Sequence, residues 1–77
     1  MRKQRDLFPN LSAELARVGM NKAELSDKAN ISISSLYAKC KGDTDWTLED
    51  MDSVKRVLET ESGGQEMPLD YLFRRAQ

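Results

Sequence analysis

Apolar residues recur along this chain at helical spacing, and no convincing strand can be placed. Leu11, Leu15 and Val18 share one face of a first segment. Pro9 precedes it, Asn10 is placed to cap it, and Gly19 suits a left-handed end, so a helix is expected from Asn10 or Leu11 to just before Gly19. Asn21 caps a second helix, with Glu24 as its capping-box partner, and turns Leu25 and Ala29 inward. Asn30 ends that helix, because Asn tolerates positive φ better than other residues with a Cβ. Ile31 is apolar within the turn itself and is expected to plug the gap between helices. Ser32 caps a third helix with Ser35 at its third position; this helix buries Leu36 and Cys40 and stops at Gly42. After the polar run Gly42-Asp43-Thr44-Asp45 and Trp46, Thr47 caps a fourth helix with Asp50 three residues on. Leu48, Met51, Val54, Val57 and Leu58 form its apolar stripe. Residues 61–66 hold no apolar side chain and read as a break. Pro68 then opens a short last helix at its first position, carrying Leu69, Leu72 and Phe73. The fold class expected is all-α, a compact domain of four to five helices.

Length sharpens this picture. A chain of 77 residues makes one domain, and at this size only roughly 60% of the unfolded surface is buried. Helix packing or dimerisation are the simplest supports for so small a core. The single Cys40 forms no internal disulfide, and there is no His, so a Cys/His zinc site and any His-dependent triad are excluded. The segment MRKQRDLFPN is charged with no apolar run behind it, unlike a signal peptide. No apolar stretch approaches the ~20 residues of a membrane span. A reducing, cytoplasmic setting is expected, with no cofactor and no enzymatic activity: there is no Gly-rich phosphate loop, and the carboxylates are expected on exposed segments.

The net charge of −1 hides an uneven distribution. Residues 1–41 carry eight Lys/Arg against four acids, and residues 42–77 carry four against nine. A basic half can hold phosphates while an acidic half turns away. The alternative is ordinary charge scatter.

Within the basic half, residues 21–42 have the layout of a helix-turn-helix, in which one helix braces and the next lies in the major groove. Helix 32–41 would be the reader. Ser34 and Ser35 let its backbone approach base edges, and their hydroxyls both donate and accept. Lys39 and Lys41 reach phosphates or a guanine edge. Each residue also has a plainer role: the serines as helix-start residues, Tyr37 as surface packing, the lysines as solvated charges that suit a helix C-terminus. Trp46 reads as a core or loop anchor, Cys40 as a small core residue. Arg2, Lys3 and Arg5 form a basic arm over residues 1–9, suited to a minor groove or phosphates, or else an unstructured tail.

These residues resemble the Cro/cI-type (XRE-like) phage and bacterial repressors. The resemblance covers most of Leu11 to Leu58, with Pro68 to Phe73 similar to the family's closing helix. It is carried by Lys22-x-Glu24-Leu25, the Asn30-Ile31-Ser32 turn, Ser34-Ser35-Leu36-Tyr37 with Lys39 and Gly42, and Asp45-Trp46-Thr47-Leu48. It implies a lambda-repressor-like domain over residues 10–77 and a sequence-specific Cro-like transcriptional regulator of phage or prophage type. It further implies a homodimer on a double-stranded, pseudo-palindromic DNA operator, with no membrane and no small-molecule ligand. Ile33, Ser34, Ser35 and Ala38 match base-facing positions, with Ile33 suited to a thymine methyl. Tyr37, Lys39, Lys41 and Thr44 match positions near the sugar-phosphate backbone, beside Ser32 at the start of the reading helix. Lys22 stands where the family often has Gln, so only a phosphate role carries over. Asn30 replaces the usual turn Gly, and the break at 61–66 is longer than the family's link. The competing reading is a protein-interaction module, an antirepressor or antitoxin-like factor that keeps the fold without binding DNA. Phe8, Leu72 and Phe73 are open to a dimer contact or to the core.

Overall fold

Caps and stops written into the sequence set most helix boundaries. The computed structural model describes residues 7–76, and in them five helices and no strand: α1 (Pro9–Arg17), α2 (Lys22–Ala29), α3 (Ile33–Lys41), α4 (Leu48–Glu61) and α5 (Leu69–Leu72). Asn21 Oδ1 accepts from the Glu24 N–H while Glu24 Oε1 accepts from the Asn21 N–H, the reciprocal capping box. Ser32 and Thr47 accept from the Ser35 and Asp50 N–H groups in the same way. The helix ends share one closure too. Asn30, at φ 60° and ψ 42°, lets the Ile31 N–H reach back to the Ser26 carbonyl. Gly19 and Gly42 do the same for α1 and α3.

Two helix starts differ from expectation. α1 begins one residue early, with Pro9 in its first turn, where a missing N–H costs nothing. Asn10 therefore does not cap it; its side-chain amide donates to the Tyr71 carbonyl at 2.8 Å. Pro68 stands just before α5 rather than at its first position.

The core joins Leu25 of α2, Leu36 of α3, Val54 and Leu58 of α4 and Leu72 of α5, all fully buried. α2 packs on α3 and α4, and α5 closes against α4 and α1. Ile31 packs against this core from the turn, and Cys40 is half-buried against it. Phe8 and Leu72 belong to the core, and Phe73 packs on it. Leu48 departs from the stripe assigned to α4 and is 68% exposed. At roughly 100° per residue it stands about 100° away from the Val54–Leu58 direction. Leu7, Phe8 and Pro9, on the arm side of the boundary drawn at residue 9, are part of the helical unit; Arg2, Lys3 and Arg5 lie outside the described residues. At the far end of the chain, the Ala76 N–H donates to the Leu7 carbonyl at 2.9 Å.

The break at 61–66 does not leave α5 adrift. Glu59 Oε2 accepts from Lys55 Nζ and from the Met67 N–H. Met67 is buried, an anchor with no periodic signal in sequence. Those two donors, the Lys55 ammonium first and the Met67 N–H second, hold the Glu59 carboxyl below the usual glutamate range. The Tyr71 hydroxyl donates to Glu14 Oε2 at 2.7 Å, tying α5 to α1. That bond to a carboxylate pushes the Tyr71 hydroxyl above its ordinary value. Glu14 is itself 3% exposed, against the expectation that the carboxylates are solvated. It is paired with Arg17 at 3.4 Å, while its Oε1 has no hydrogen-bond partner. Among the described residues, no helix is long and apolar enough to cross a membrane.

Candidate nucleic-acid interface

The turn between α2 and α3 is three residues long, Asn30-Ile31-Ser32. Its left-handed Asn30 redirects the chain, Ile31 anchors it, and Ser32 caps the next helix. With Leu36 buried and Cys40 half-buried, the opposite side of α3 is left outward. Ser34, Tyr37, Ala38 and Lys41 stand there at i, i+3, i+4 and i+7, one continuous stripe. Ser34 and Lys41 are exposed, Tyr37 is half-exposed and Ala38 half-buried. Ile33 lies at the N-terminal end of this face, 40% exposed. Lys22, in the first turn of α2, joins it from the side, its Nζ 5.9 Å from the centre of the Tyr37 ring, a cation–π distance.

Four of the expected residues lie off the stripe. Lys39 turns away from the stripe toward α4: its ammonium lies 3.5 Å from Asp50 Oδ2 and its side chain is only 13% exposed. In this position it links α3 to α4 and stands off the outward stripe. Ser35 is exposed on the same flank as Lys39, away from the stripe's centre. Thr44 sits in the loop after α3, on the wall of a cleft that Lys39 also lines. Ser32 is at the tip of α3 with its oxygen committed to the cap.

The surrounding electrostatics are balanced rather than strongly basic. Lys41 has Asp43 at 3.7 Å, so both lysines of α3 have acidic partners. Lys22, Arg74 and Arg75 make no ion pair among the described residues. Sequence reading missed the two acids because partners are chosen in space. Asp50 stood out only as a capping residue, and its backbone does serve that role. Among the described residues, no group of His, Cys, Asp and Glu is placed to hold a metal.

No family model matches the chain, and no curated protein or solved structure is detectably similar to it.

Proposed function

We propose that this chain is a sequence-specific DNA-binding regulator of the Cro/cI type, with a lambda-repressor-like fold, acting as a cytoplasmic homodimer on an operator of phage or prophage origin. The observation that carries the reading is the outward stripe Ser34, Tyr37, Ala38, Lys41 on a helix delivered by a tight turn. Nine residues make α3 about 13 Å long, and the major groove, about 12 Å wide, admits one such helix. Small residues at 34 and 38 let the backbone approach base edges. Ile33 supplies an apolar contact for a thymine methyl, and the Ser34 hydroxyl reads either a donor or an acceptor. Lys41 at the end of the stripe and Lys22 beside it are phosphate contacts, Tyr37 lies between them, and the cations of the arm add to the same term.

The second reading, a protein-interaction module, draws on the acidic partners of Lys39 and Lys41 and on exposed Leu48. One titration separates the two. Binding to mixed-sequence duplex DNA, measured between about 50 and 200 mM salt, is expected to weaken steeply, because counterions released into more concentrated salt gain less free energy. Absence of binding at the lowest salt overturns the DNA reading and leaves the protein module.

A further inference from the structure

The cleft on the flank of α3 away from the stripe has no part in the DNA reading. It lies between the C-terminal end of α3, the loop before α4 and the tail after α5, and encloses about 350 Å³. That volume falls within the usual range for small-ligand sites, about 300–1,000 Å³. Three of its walls are aromatic. Phe8 meets Trp46 edge-on with ring centres 6.2 Å apart, and Trp46 and Phe73 are tilted at 4.8 Å. Arg75 lines the same space, its guanidinium 5.8 Å from the centre of the Phe8 ring. This exposed cation makes no ion pair among the described residues, unlike Lys39 beside it, which is held by Asp50. Trp46 lines the cleft with its ring, while its indole N–H is buried and has no acceptor among the described residues.

We propose that this cleft binds a small aromatic monocarboxylate. The ring packs among Phe8, Trp46 and Phe73 in the offset and edge-on arrangements these side chains already adopt. The carboxylate meets the planar fork of Arg75, whose geometry suits a bidentate carboxylate. With Lys39 neutralised by Asp50, Arg75 is the lining's cation without an ion pair among the described residues, and one such cation matches a single negative charge. The site stands whether or not α3 reads DNA.

Trp46 is the only tryptophan of the chain, so its indole N–H gives one resolved signal in a proton–nitrogen correlation spectrum. The probes are benzoate, benzamide (the same ring without charge) and acetate (the same charge without a ring). Benzoate is expected to shift that signal saturably with a Kd of about 1 mM, as suits so small a ligand. Benzamide and acetate are each expected to bind at least tenfold more weakly. Arg75→Gln, a change on the exposed tail, should weaken benzoate at least fivefold and leave benzamide unchanged. The proposal is overturned if benzoate gives no saturable shift by tens of millimolar, if benzamide or acetate equals it, or if Arg75→Gln has no effect.

Discussion

A single left-handed residue sets how closely α3 follows α2. Asn30 holds φ 60° with no glycine's freedom, at the cost that any Cβ brings to this region. Asn30→Ala is expected to destabilise the fold by about 1 kcal/mol, since alanine loses the Asn preference for αL. Asn30→Gly should stay within about 0.5 kcal/mol of the parent, its steric relief offset by chain entropy. Urea unfolding of both variants measures the difference. Such positions are legible in sequence because their causes are local: Asn21 with Glu24, Ser32 with Ser35 and Asn30 each act within a few residues. Asn10 was not legible as a link to α5, because its acceptor is the Tyr71 carbonyl, 61 positions away. Glu59 makes a residue-scale prediction with a definite sign. Its carboxyl titrates below the ordinary glutamate value of about 4.3. Its contribution is therefore complete above that value and is lost as pH falls through the lowered one. Glu59→Gln should lower Tm at pH 7, and the gap from the parent should close as pH is taken down through the lowered value.

At the scale of an element, α3 has three kinds of surface. Leu36 is buried, the stripe faces out, and Lys39 reaches sideways to α4. The first two follow from helical periodicity and were expected. The third depends on Asp50, which belongs to another helix, and no period in the sequence encodes it. The apolar stripe of α4 was legible in the same way, except at Leu48, where an apolar side chain in the first turn lies off the buried direction. If α3 reads DNA as proposed, Asp50 restrains a cation that would otherwise reach phosphate. Asp50→Asn should then tighten binding to all sequences and steepen the salt dependence by about one phosphate. Lys41→Ala should weaken all sites alike and flatten that slope. Binding isotherms at several salt concentrations test both, alongside thermal melts, since Asp50 also favours the N-terminal end of α4.

For the whole molecule, the difficult part was the seat of α5. Four residues of helix cannot hold themselves. Leu72 and Met67 bury the apolar side of this segment, while Asn10, Glu14 and Glu59 hold it by hydrogen bonds from α1 and α4. Tyr71→Phe removes the hydroxyl that satisfies a buried carboxylate, and should lower the midpoint of chemical unfolding. Sequence pattern located α5 but not this polar seat, for Asn10 and Glu14 lie more than fifty positions from Tyr71 in the chain. The bond from Ala76 to Leu7 has a different kind of consequence. Where two distant stretches of backbone touch, the order in which the helices are connected is not essential to their packing. A circular permutant joining residue 76 to residue 7 by a short Gly-Ser linker, and opened between exposed Gly63 and Gly64, should fold cooperatively with helical circular dichroism close to the parent's. Loss of a cooperative transition in that rewired chain would show that the native thread, and not the packing alone, holds the five helices together.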